Sequence, residues 1–253
     1  MTEKSLRNRA YEYIHRKILE GGLVPGQQVS EASLAREIGI SRTPVREAIN
    51  QLQSEGLLLQ VPRYGTVVRR PERQDIAELY ELREGLESYA AGLAARRASP
   101  KDVETLERIF GEMKKIAAEF RRSGKKALEG ALLRRFLSAD MGFHLALLRA
   151  AGNRRILKVL SDTHMLSRIF GMPRKEHDEE RLRKTERFHA RVLAAARAGD
   201  AEGSRKAMAD HIRSGRDEAL EYFDRARAGT PLSSSDLPEG LAEELHRLES
   251  RLG

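Results

Sequence analysis

A chain of 253 residues has room for two modest domains, each able to bury its own core, and the absence of cysteine excludes disulfides and thiolate metal sites. The net charge of +8 is denser at the start, with eleven Lys/Arg against seven Asp/Glu in residues 1–70 and thirty-five against thirty-one in 71–253, which suits a polyanion as partner of the first part. The polar start from Met1 to Arg9 and the lack of any eighteen-residue apolar run predict a soluble, cytoplasmic protein without a signal peptide or membrane span.

From Leu6 to Glu20 the apolar positions Leu6, Ala10, Tyr13, Ile14 and Leu19 fall at helical spacing, and Gly21-Gly22 with Pro25-Gly26 ends the helix. His15 lies off that stripe and is expected at the surface. Leu34 to Asn50, LAREIGISRTPVREAIN, then reads as two short helices meeting at a tight turn. Leu34, Ala35 and Ile38 form the apolar face of the first, and Gly39 stops it because glycine takes the left-handed conformation without penalty. Ser41 or Thr43 caps the second, and Pro44 is tolerated only in a first turn. Val45, Ile49 and Leu52 point one way, which leaves Arg42, Thr43, Arg46 and Asn50 on the wet face. Such a helix, entered by a sharp turn from another, is the arrangement that reads a DNA major groove.

Leu57 to Val61 and Thr66 to Arg69 are short β runs on either side of Pro62-Arg63-Tyr64-Gly65, which makes a wing. The run Ile18 to Gly26, then Leu34-Ala35, Ser41 to Ala48 and the wing glycine Gly65 resemble the GntR family of bacterial transcription regulators. The resemblance implies a winged helix-turn-helix followed by a separate effector domain. It implies a homodimer reading a pseudo-palindromic double-stranded DNA operator, with Ser41, Arg42, Thr43 and Arg46 in the major groove and Arg63 with Gly65 at the wing. Ala32 stands where some members carry an arginine for DNA.

Arg69-Arg70-Pro71 is a basic linker, and from Asp75 the pattern becomes helical throughout. Helices are predicted over about 74–97, 100–121, 127–151, 153–170, 179–198 and 200–227, with no strand among them. The basic stretch Arg121 to Lys126 reads as a solvated loop. Thr230 to Ser235 reads as a linker, and leucines 241, 245, 248 and 252 form one stripe of a last short helix that docks on its own bundle or contributes to a dimer contact. The predicted architecture is mainly α. It comprises a winged helix-turn-helix over 1–70, an all-helical effector and dimerisation domain over 71–229, and a linker with a short amphipathic helix over 230–253.

Within the helix after Ala127, Asp140 and His144 are four apart on the face that Leu133, Phe136, Leu137, Leu147 and Leu148 mark as buried. A buried carboxylate needs a partner, either the histidine or a cation that both ligate. His189 lies eleven residues before Asp200 and His211 eleven after it, so an antiparallel hairpin turning at Asp200 sets both at one height, roughly 16 Å from the turn. Three imidazoles and a carboxylate suit a divalent metal such as Zn²⁺ or Ni²⁺. Taken singly, each histidine reads as a satisfied core residue rather than a ligand; it is the four groups in matching positions that point to a metal.

Tyr80 to Glu87, Asp140 to His144, Ala151-Gly152-Asn153 and the histidines around Ala198-Gly199-Asp200 resemble the FCD-type effector domain of the FadR-like GntR branch. In its metal-binding members an Asp and three His ligate a metal that helps bind a small carboxylate. The resemblance thus implies Asp140, His144, His189 and His211 as ligands and Arg83 as an effector contact, with a structural ion pair between Arg83 and Glu87 as the alternative. Phe188 replaces an acidic residue common in relatives. His164 is a further candidate for the pocket, and His177 and His246 are expected to be exposed.

The function expected is a repressor whose helical domain senses a small organic acid through a bound metal. Rival readings are a regulator for which the ion itself is the signal, and a mononuclear metal hydrolase. The hydrolase finds neither an HExxH helix nor a Ser/His pair to support it, so no enzymatic activity is expected.

Overall fold

The structure is a computed structural model, and it describes residues 3–19, 21–160, 163 and 176–229. The linker from Thr230, the leucine stripe beyond it, His164 and His246 lie outside the described residues. Two compact units separate, one containing Met1–Glu72 and the other Arg73–Phe223.

In the first unit α1 (Glu3–Leu19) buries Ala10, Ile14 and Ile18, one residue per turn, against α3. Truncating the fully buried Ile14 to alanine costs about 2–5 kcal/mol. Helix α2 (Glu31–Ile38) is capped by the Ser30 side chain, which accepts from Ser33 N, and ends at Gly39 in the left-handed region with φ 73°. Arg9 adds a bond from Nη2 to the free Ile38 carbonyl at 3.0 Å. Helix α3 (Arg42–Ser54) has Ser41 at its N-cap without a side-chain cap bond and buries Val45, Ala48, Ile49 and Leu52. Strands β1 (Leu58–Val61) and β2 (Gly65–Val68) pair antiparallel with Leu58 opposite Val68. Residues before α2 line the outer edge of β2, through Val29 N to Thr66 O at 2.8 Å and a bridge between Gln28 and Val67.

The second unit is helical. Helix α4 (Arg73–Arg97) is followed by α5 (Pro100–Ser123), which opens on a capping box between Ser99 and Asp102 with Pro100 at its first position. Then come α6 (Gly130–Ala150), α7 (described over 154–160, capped by Asn153 Oδ1), α8 (Glu179–Arg197) and α9 (Ala201–Gly229). Their shared core holds Leu106, Met113 and Phe120 of α5, Phe136, Phe143 and Leu147 of α6, and Met208 and Ile212 of α9. Gly92 lets α4 approach α9, since a Cβ there would sit 3.1 Å from the Ala201 carbonyl.

Three expectations need correction. A short ladder interrupts the helical pattern: β3 (Leu128–Glu129) pairs with β4 (Glu176–His177), which delays α6 to Gly130. His177 is buried rather than exposed, because that pairing carries its ring to 6.3 Å from Phe136, edge-on. His15 is half-buried, its ring stacked on Tyr11 at 5.7 Å, and burial lowers its pKa against the opposing pull of Glu55.

Candidate functional site

Three helices of the second unit bring four residues into one cluster. Helix α6 contributes Asp140 and His144 on successive turns of one face, α8 contributes His189 and α9 contributes His211. One donor atom from each of these four residues lies within 4.8 Å of every other. His144 Nε2 is 3.3 Å from His211 Nε2, and His189 Nε2 is 3.4 Å from Asp140 Oδ1. The three imidazole rings pack mutually, with centroids 4.7–5.3 Å apart.

Hydrogen bonds on the far side of two rings fix which nitrogen faces the cluster. His189 Nδ1 is 2.9 Å from the Thr185 carbonyl, which only accepts, so the proton sits on Nδ1 and Nε2 presents a lone pair. That Nε2 is buried and has no hydrogen-bond partner among the described residues. His144 Nδ1 donates to Glu87 Oε2 at 2.6 Å, which likewise turns its Nε2 inward. Burial lowers the His189 pKa to about 4 despite Asp140 nearby, and burial together with its two histidine neighbours holds His211 well below 6.5. Neutral imidazoles are the form that ligates metal.

The donor set fits a divalent cation. Bonds of about 2.0–2.1 Å at tetrahedral angles set neighbouring donors about 3.3–3.4 Å apart, the closest separations found here. An orphaned lone pair inside a cluster of three imidazoles and one carboxylate is otherwise a cost of burial without compensation. Phe188 packs its ring 5.4 Å from that of His211.

Arg83 of α4 is buried and donates from Nε to Glu87 Oε1 at 2.7 Å, so the ion pair posed as its alternative role is present. Burial is the largest influence and opposes its charge, but Glu87, Tyr80 and Asp140 together outweigh it and raise the guanidinium's pKa. The sequence placed Glu87 beside Arg83 through the four-residue spacing. Nothing in it signalled that the second oxygen of Glu87 reaches His144, fifty-seven positions away on another helix.

In the first unit Ser41, Arg42, Thr43, Arg46 and Asn50 are all exposed on one face of α3. Both arginines turn to Glu31 at the start of α2, Arg42 through Nη2 at 3.1 Å and Arg46 through Nε and Nη2, each at 3.1 Å. Residue spacing carries no sign of this clasp, which joins two helices. At the wing tip Arg63 is exposed with φ 66°, and Gly65 follows with φ 85°.

Residues 6–68 match the family described as bacterial regulatory proteins, gntR family, and residues 78–214 match the FCD domain. A protein of Paenarthrobacter nicotinovorans named "Probable D-xylose utilization operon transcriptional repressor" is 30% identical over 84% of this chain and 88% of its own. The Nta operon transcriptional regulator of Aminobacter aminovorans is 30% identical over 85% of this chain and 94% of its own. Among solved structures, E. coli McbR/YncC shares the fold with a TM-score of 0.69 at 22% identity, over 88% of this chain and 100% of that one. Among the described residues no helix is long and apolar enough to cross a membrane.

Proposed function

The chain belongs to the gntR family of bacterial regulatory proteins and carries an FCD domain, so it is a DNA-binding transcription regulator and not an enzyme, and from that premise we propose how it works. It is a cytoplasmic homodimeric repressor whose winged domain, residues 1–70, contacts a pseudo-palindromic operator. Ser41, Arg42, Thr43 and Arg46 enter the major groove, and Arg63 and Gly65 serve the wing. The helical domain over 71–229 binds a small carboxylate through a divalent metal, Zn²⁺ or Ni²⁺.

The observation that carries this reading is the inward lone pair of His189 Nε2, buried beside Asp140, His144 and His211 without a hydrogen-bond partner among the described residues. Those four residues hold the ion, which supplies a Lewis-acidic position for a carboxylate oxygen. Arg83 lies in the same helical unit as a fixed positive charge for the other end of the anion. An acid that binds two states of the dimer unequally shifts DNA affinity by its coupling energy, in such systems about 5–150-fold.

The test uses an operator recovered from a randomised DNA pool, titrated with metal-loaded and chelator-treated protein against a panel of mono- and dicarboxylates. An acid that releases DNA only from the metal-loaded protein supports the mechanism. Release by the metal alone would make the ion the signal, and no effect of either would remove the sensing role from the cluster.

A further inference from the structure

We propose that Glu87 is the positioning residue of the effector site: one carboxylate oxygen orients His144 toward the metal and the other fixes Arg83 beside it. The inference rests on the metal reading above and names the residue that organises it.

Glu87 is 1% exposed, so its charge survives only if both oxygens are paired. Oε1 accepts from Arg83 Nε at 2.7 Å and Oε2 accepts from His144 Nδ1 at 2.6 Å. Arg83 and Glu87 are on successive turns of α4, and His144 comes from α6, so a single carboxylate ties two helices together at the cluster. A carboxylate behind a ligating imidazole fixes its tautomer and ring plane and raises its basicity. His189 has only a backbone carbonyl in that place.

The other oxygen leaves Arg83 in an unusual condition. Its guanidinium carbon lies 5.0 Å from the Tyr80 ring centroid, Nε is committed to Glu87, and neither Nη makes a hydrogen bond among the described residues. The guanidinium also acts electrostatically on Asp140 and on His211, so its charge lies beside the ligand cluster. A buried arginine held at Nε, with neither Nη bonded among the described residues, presents a fork for a carboxylate. The same residue that aims the metal ligand therefore also aims the anion clamp.

The experiment compares full-length wild type with Glu87→Gln. Zn²⁺ affinity is measured by competition with a chromophoric chelator, and the visible spectrum is recorded after loading with Co²⁺. The amide keeps the shape but cannot accept from both partners at once. The expected result is a Zn²⁺ affinity about 10–100-fold weaker with altered Co²⁺ bands, while the metal-free protein still unfolds cooperatively. If the single variant fails to fold, Arg83→Met/Glu87→Leu replaces the buried pair with apolar groups of similar size and must show the same loss. Unchanged Zn²⁺ affinity and an unchanged Co²⁺ spectrum would reduce Glu87 to a structural ion pair. A wild type that binds no Zn²⁺ would overturn the metal reading itself, and this one with it.

Discussion

Arg46 lays its guanidinium across the carboxylate of Glu31, with Nε 3.1 Å from one oxygen and Nη2 3.1 Å from the other. Arg42 reaches the same carboxylate, so one acid at the start of α2 gathers both long cations of α3. Hydrogen bonds from Arg46, with a smaller share from Arg42, hold the Glu31 carboxyl below its ordinary range. The arginine side chains are 57–63% exposed, so the pairs contribute little to stability, and their consequence is placement.

Arg46→Ala is expected to weaken binding to the selected operator about ten- to hundredfold while leaving the thermal midpoint unchanged. A gel-shift titration beside a melting curve checks both. Unchanged operator affinity would take Arg46 out of the DNA contact set.

Glu31→Ala frees both guanidiniums and removes a negative charge from the same face. Binding to random-sequence DNA should tighten, and its dependence on salt should steepen by about one counterion. Fluorescence anisotropy across a salt series reads the slope, and an unaltered slope argues that Glu31 lies clear of the DNA.

Gly92→Ala tests how α4 meets α9. The added Cβ would fall 2.5 Å from Arg205 Nε and 3.1 Å from the Ala201 carbonyl, and the second neighbour is backbone that cannot swing away. The gain in helix propensity, roughly 1 kcal/mol, is outweighed by an overpacking cost of about 1–3 kcal/mol. Denaturant unfolding should show a lower midpoint, and an equal or higher one would contradict this packing.

Acid should destabilise the metal-free protein through the histidine cluster. His189 titrates at about 4 and His211 well below 6.5 in the fold, against about 6.5 for an unfolded histidine. Above the unfolded value both states are neutral and the full stability is present. As pH falls toward 4 the unfolded chain takes up protons that the folded one refuses, and stability drops by up to about 1.4 kcal/mol per pH unit for each histidine. Chelator-treated protein unfolded at pH 7.5, 6 and 5 should show the decline, and His189→Gln should flatten it.

The helical pattern, the turn at Gly39 and the wing were legible because each is a local feature, fixed by spacing, by glycine or by a capping side chain. The common height of His189 and His211 could be read because a single tight hairpin links them, and their rings lie 4.7 Å apart. The ladder of Leu128–Glu129 with Glu176–His177 was not legible, since two residues carry no period. Missing that ladder placed His177 at the surface. The reach of Glu87 to His144 and the clasp of Glu31 on Arg42 and Arg46 depend on how separate helices dock, which spacing along the chain does not encode.

Calorimetric titration of Zn²⁺ into chelator-treated wild type and His189→Ala tests the central claim most directly. The account predicts one ion per chain in the wild type and a loss of that binding in the variant. No binding by the wild type, or equal binding by both proteins, would contradict it.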